Sequence, residues 1–103
     1  MKPAQFSPLA REDFLSTYRQ YLLDAGPNVA NRFSDMVDEA VTVISESPGI
    51  GSLRYAEILE VLGLRYITPR RFPYLIFYLE NPQFLRVERM LHTSSDIDHR
   101  FLA

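Results

Sequence analysis

The chain has 103 residues, no cysteine and a net charge of −2, so it fits one domain, residues 1–103, with one core. The missing thiols exclude disulfides and cysteine-ligated metals, and the acidic balance argues against a protein that mainly grips nucleic-acid phosphates. There is no apolar run long enough to span a bilayer and no signal-peptide core, so we expect a cytoplasmic protein that binds no membrane.

The first half of the sequence predicts an antiparallel pair of helices. Ser7-Pro8 is a helix start, because serine caps free N–H groups and proline fits the first turn. Gly26-Pro27 ends that helix, and Asn28 or Gly26 opens the next one. Apolar residues then recur at three- and four-residue steps from Val29 to Ile44, and Ser47-Pro48-Gly49 ends the second helix. The short link makes the two helices a hairpin.

The rest of the sequence predicts a small sheet. Lys2–Phe6 is an expected edge strand, because Pro3 is compatible with an edge and not with a central strand. Ile50–Leu62 is expected to be a loop with one helical turn. Further strands are expected at Leu64–Thr68, Tyr74–Glu80 and Phe84–His92, and a short C-terminal helix at Asp96–Leu102. The predicted fold class is therefore α+β, with an N-terminal helical hairpin packed on a small, mostly antiparallel sheet.

The middle strand is apolar at every position from Tyr74 to Leu79. A strand with one face in water alternates apolar and polar residues, so a continuous run indicates that both faces are covered. The helical hairpin can cover only one face. We therefore expect a partner protein to cover the other.

The last strand carries a charge at a position where its pattern predicts an apolar residue. Strict alternation puts Arg89 on one face together with Leu85, Val87 and Leu91. A charge on an apolar face must be paired or must line a groove. Arg89 is therefore in a structural ion pair, with Asp96 or Glu88 as partner, or on the other face of the strand from the one that alternation gives it, or at a functional surface.

Three segments carry a family resemblance: PGIGSLRY at 48–55, LGLRYITPRRFPYLIFY at 62–78 and RMLHTSSDI at 89–97. With the helical hairpin before them, they resemble the ParE branch of the RelE/ParE toxin superfamily. The resemblance implies the toxin half of a type II toxin–antitoxin pair. It also implies a helical hairpin on one face of a sheet and an antitoxin segment wrapped over the remainder.

The superfamily contains two activities, and the sequence favours one of them. RelE-like members cleave mRNA on the ribosome, whereas ParE-like members poison DNA gyrase and need no known catalytic triad. Cleavage by a 2′-hydroxyl requires a base, an acid and cations around the phosphate. The only lysine is Lys2, and no tyrosine follows Tyr78. We therefore expect a gyrase inhibitor with no catalytic residues. An mRNA endonuclease and a non-toxic interaction module on the same fold are the alternatives.

The resemblance also implies partners and contact residues. The expected partners are a cognate antitoxin and DNA gyrase, with nucleic acid contacted only through them and with no cofactor or metal. The target-binding residues are expected at one end of the sheet, beside the last helix: Arg65, Arg89, His92 and Asp96. The antitoxin-binding residues are expected on the first helix and the middle strand: Phe14, Tyr18, Leu22, Leu75 and Phe77. Ser95 stands where family members often have a basic residue, which is typical of a weakened or diverged toxin surface.

Overall fold

The helical hairpin forms as its capping residues predict. The computed structural model describes residues 1–102, in which α1 spans Pro8–Ala25 and α2 spans Pro27–Glu46. The Ser7 side chain accepts a hydrogen bond from the Ala10 N–H at 3.0 Å. Gly26 is the one residue between the helices. Its φ of 89° is a backbone conformation that residues with a side chain disfavour. Pro27 is the first residue of α2, so the same dipeptide ends one helix and starts the next.

The sheet has four strands in the order β1-β4-β3-β2. β1 pairs with β4 in parallel, and the other neighbours are antiparallel. The strands are β1 (Ala4–Phe6), β2 (Arg65–Ile67), β3 (Tyr74–Glu80) and β4 (Leu85–His92). A 3-10 turn at Pro48–Ile50 and the short helix α3 (Arg54–Ile58) precede β2, and α4 (Ile97–Leu102) follows β4. The α+β prediction is confirmed, including the edge strand and the helical turn in the loop.

Both faces of β3 are covered by this chain alone. Ile76 and Tyr78 pack in the core under the helical hairpin. Leu75 and Phe77 pack in a second core with side chains from residues 55–64 and from α4. The expectation that a partner must cover the second face is therefore wrong. The loop before β2 and the C-terminal helix fold under the sheet and exclude water there.

A β-bulge in β4 changes the faces that alternation predicts. Tyr78 pairs with Val87 and Phe77 pairs with Arg89, so Glu88 is an extra residue in the strand. The extra residue reverses the alternation beyond it. The prediction that Arg89 shares a face with Val87 is therefore wrong. The hairpin side of β4 carries Leu85, Val87 and Met90, and the α4 side carries Leu91.

Candidate functional site

Arg89 is buried, and the protein uses all of its hydrogen-bonding nitrogens. Its Nε donates to Asp13 Oδ2 at 2.8 Å and its Nη2 donates to Asp13 Oδ1 at 3.1 Å. Its Nη1 donates to the Arg100 carbonyl at 2.6 Å, near the end of α4. The residue is only 6% exposed. The structural ion pair is present, but Asp96 and Glu88 are not the partner, because the bulge directs Arg89 toward α1 and α4.

Asp13 also closes the free edge of β4. β1 ends at Phe6, so β4 has no strand neighbour beyond Val87 on that side. The Ser7 hydroxyl donates to the Glu88 carbonyl at 2.7 Å, and Asp13 Oδ2 accepts from the Met90 N–H at 3.0 Å. The first half of α1 thus satisfies the strand edge that β1 leaves open. Asp13 thereby joins α1, β4 and, through Arg89, α4.

Arg65 lies apart from the other predicted target-binding residues. It pairs with Tyr78 on the hairpin side of β3, whereas Arg89 pairs with Phe77 on the opposite side. Its Nη1 donates to the Gly51 carbonyl at 2.8 Å. Because Tyr78 and the partner of His92, Tyr74, lie roughly 13 Å apart along β3, Arg65 is also distant from His92. The structure therefore does not gather these cations at one end of the sheet.

Tyr78 fixes the loop that Arg65 contacts. Its hydroxyl donates to the Pro48 carbonyl at 2.7 Å and accepts from the Gly51 N–H at 2.9 Å. Burial raises the pKa of the Tyr78 phenol, against the lowering effect of the Gly51 hydrogen bond and of the Arg65 charge. The loop before α3 is thus held by buried polar contacts, which sequence patterns do not reveal.

A polar cleft of about 190 Å³ lies between α1, the free edge of β4 and α4. The His92 ring lines it and packs edge-to-face against Tyr74, with ring centroids 5.1 Å apart. His92 Nδ1 accepts from the Ser94 N–H at 3.0 Å, so a neutral ring carries its proton on Nε2. The remaining lining residues are Asp13, Ser16, Thr17, Met90, Leu91, Ser95 and Arg100.

Asp96 is exposed and lies outside this cleft. Its Oδ1 accepts from the His99 N–H at 3.5 Å, at the start of α4. It borders an open depression on the outer side of α4 together with Asp98 and His99. Within residues 1–102, the side chains of histidine, aspartate and glutamate form no cluster suited to a metal ion.

The predicted antitoxin-binding residues fall into two environments. Phe14 and Tyr18 are half-buried on α1 and Leu22 is exposed, and of the three only Phe14 lines a groove of about 630 Å³ at the β1 edge. Tyr18 donates to Asn31 Oδ1 at 2.7 Å. Leu75 and Phe77 are instead buried in the second core. The residues that line the groove are Ala4, Gln5, Phe6, Arg11, Phe14 and Leu15.

The model of the family described as the ParE toxin of the type II toxin–antitoxin system parDE matches residues 4–97. The chain belongs to the ParE toxin family. The resemblance found in the sequence is thereby confirmed, and the protein is a ParE-like toxin of a type II toxin–antitoxin system.

The fold of this ParE-family chain is also found in a solved structure. It is described as the chromosomal ParDE TA system from P. aeruginosa and superposes with a TM-score of 0.75 at 21% sequence identity. The match covers 91% of this chain and 98% of that one. A search of curated proteins found no match. Within residues 1–102, no helix has the length and apolar character needed to cross a membrane.

Proposed function

We propose that this ParE-family toxin acts in the cytoplasm by binding and inhibiting DNA gyrase, and that a cognate antitoxin neutralises it. The observation that carries the proposal is the family match over residues 4–97. The related ParDE structure, which has the same fold, is described as a toxin–antitoxin system, and this supports an antitoxin partner here.

The environments of the cations favour binding over catalysis. Cleavage of mRNA needs several cations converging on one phosphate beside a base and an acid. Arg65 is bound to a backbone carbonyl, and Arg89 is buried in an ion pair on the opposite side of the sheet. Neither cation is free to meet a phosphate at His92. An inhibitor that acts by contact requires no such convergence.

The β1 edge and the adjoining groove are the proposed site for the antitoxin. Pro3 accepts from the Leu85 N–H and Ser7 donates to the Val87 carbonyl, so these residues face β4. In a parallel pair the residues between them, Ala4 and Phe6, direct backbone groups outward. An extended antitoxin segment can add to this edge as a strand while its apolar side chains contact the groove.

The outer surface of α1 continues this apolar track. Leu15 and Leu22 are 39% and 40% exposed, and Tyr18 lies between them on the same side of the helix. Phe14, Tyr18 and Leu22 thus keep their proposed role in antitoxin contact. An antitoxin could reach Leu75 and Phe77 only by displacing α4 or the segment 55–64, so we assign those two residues to the core.

Purified enzymes test the proposed target. The full-length toxin, released from its antitoxin, should inhibit gyrase supercoiling and cause cleaved DNA to accumulate, and addition of the antitoxin should reverse both effects. The same preparation should leave mRNA intact on translating ribosomes. Ribosome-dependent cleavage without gyrase inhibition would establish the endonuclease alternative. A folded toxin that affects neither system and does not slow growth would establish a non-toxic interaction module.

A further inference from the structure

We propose that the cleft between α1, β4 and α4 binds a carboxylate side chain of the protein target, with Arg100 as its main cation. This inference rests on the proposed function, because the carboxylate would belong to gyrase. The cleft is distinct from the β1-edge groove proposed for the antitoxin, since the two share no lining residue. It differs also from a role for Arg89, whose nitrogens are all engaged within the protein.

The carboxylate and imidazole acceptors of the cleft are already occupied. Both oxygens of Asp13 accept from Arg89, and Oδ2 accepts also from the Met90 N–H. His92 Nδ1 accepts from the Ser94 N–H. The charged and imidazole acceptors of the cleft are therefore engaged within the protein, and the hydroxyls that remain can donate to an anion.

The donors of the cleft are free. Arg100 makes no ion pair within the described part of the chain, and its guanidinium is an always-charged fork suited to a carboxylate. The hydroxyls of Ser16, Thr17 and Ser95 make no hydrogen bond to residues 1–102, and because His92 Nδ1 accepts a hydrogen bond, the ring nitrogen that carries a proton is Nε2. One cation with several neutral donors is the arrangement expected around an anion.

The size and charge of the surroundings favour a carboxylate over a nucleic-acid phosphate. A cleft of about 190 Å³ accommodates one short side chain and not a nucleotide. Asp96 and Asp98 are exposed on the neighbouring side of α4, and the whole chain carries a net charge of −2. These charges repel a polyanionic backbone more strongly than a single acidic side chain.

Binding to purified gyrase tests the inference in the full-length toxin. Arg100→Gln should keep the fold, because Arg100 accepts the hydrogen bond from Arg89 through its backbone carbonyl. Thr17→Val should also keep it, because both side chains are β-branched and similar in shape. We expect Arg100→Gln to raise the Kd for gyrase about tenfold or more and Thr17→Val to raise it by a smaller factor. The matched control is Arg32→Gln, which removes an exposed cation of α2. Equal Kd values for Arg100→Gln and Arg32→Gln would overturn the inference.

A small-molecule arm makes the test independent of gyrase. N-acetylglutamate, titrated into isotope-labelled toxin, should shift the amide signals of Thr17, His92 and Arg100 saturably in the wild type and not in Arg100→Gln. Absence of these shifts would overturn the inference, and tighter binding of inorganic phosphate at the same residues would overturn the choice of a carboxylate. Saturable shifts together with no binding of wild-type toxin to gyrase would reject the gyrase target and keep the carboxylate site.

Discussion

The burial of Arg89 depends on a single carboxylate. Asp13 accepts two of its side-chain hydrogen bonds and also one from the Met90 N–H. Asp13→Ala should lower the free energy of unfolding by about 3–5 kcal/mol, because it leaves a buried charge without its partner. Urea denaturation measures the change, and Glu12→Ala, at an exposed neighbouring position, is the control. Equal midpoints for the two variants would show that Arg89 finds another partner.

Gly51 lies where a side chain has no room. A Cβ atom there would lie 2.5 Å from the Tyr78 hydroxyl and 2.9 Å from the Tyr66 carbonyl. Gly51→Ala should therefore destabilise the protein by about 1–3 kcal/mol, as overpacked cores do. Gly49→Ala is the matched control, since no heavy atom lies within 4 Å of its Cβ position. Thermal unfolding of both variants compares them, and similar melting temperatures would contradict the prediction.

Tyr21 links stability to alkaline pH. Burial, with the neighbouring Tyr74 hydroxyl, raises the pKa of Tyr21 from 10.0 to about 12. Above pH 10 the unfolded chain loses this proton before the native protein does, so stability should fall as the pH rises from about 10 to about 12. Tyr21→Phe should reduce this decline, and it should leave the pH dependence of the free energy of unfolding unchanged below pH 9. Urea denaturation at a series of pH values measures the free energy of unfolding of both proteins. Parallel curves of that free energy against pH would contradict the assignment of the decline to Tyr21.

The sequence identified Arg89 as an unusual charge in an apolar strand, but it did not identify the partner of its ion pair. A cation in an apolar strand is visible as a break in the pattern, and an ion pair was one of the explanations that the sequence left open. Its partner Asp13 is 76 positions away on a helix and follows no periodic rule. The bulge at Glu88, which redirects Arg89, also has no sequence signal that we recognised. The presence of an ion pair at Arg89 could therefore be predicted, whereas its partner and the direction of the side chain could not.

The helix α4 covers the second core with Ile97 and with one aromatic side chain, Phe101. Phe101 packs edge-to-face on Phe77, with centroids 5.2 Å apart, whereas the adjacent Leu102 is 71% exposed. Phe101→Ala should cost about 1–2 kcal/mol, below the value for full burial, and should increase binding of a hydrophobic dye. Leu102→Ala is the matched control. If the two variants bound the dye equally, Phe101 would have no covering role.

The helices and strands were more predictable than the way they pack. Caps and turn residues gave the hairpin, the three antiparallel strands and the last helix, because each signal is local. The apolar run in β3 correctly indicated two covered faces. The second face was wrongly predicted to be covered by a partner protein. The segment 50–62 has no clear periodicity, so the sequence did not indicate that this segment folds under the sheet. Long-range packing of an irregular segment is not encoded in a repeating pattern.

The whole molecule presents apolar surface at the edge proposed for the antitoxin. Leu22→Asp should weaken antitoxin binding at least about tenfold, because it places a charge in an apolar contact. Leu62→Asp is the control, since Leu62 is 98% exposed and lies before β2, at the opposite edge of the sheet. Calorimetric titration measures both affinities. Hydrogen exchange should also show protection of β1 and α1 in the complex, and protection confined to α4 would contradict this docking.

The parallel pairing of β1 with β4 determines when the protein can finish folding. β1 and the start of α1 contact β4 across up to 81 positions of sequence, through the Ser7 and Asp13 bonds as well as the strand pair. The N-terminal strand therefore has no strand to pair with until most of the chain has been synthesised. Contacts between residues so far apart in the sequence also form slowly. A toxin with this topology completes its fold only after β4 has left the ribosome. The outer edge of β1 that we propose for the antitoxin is therefore complete only in the finished fold.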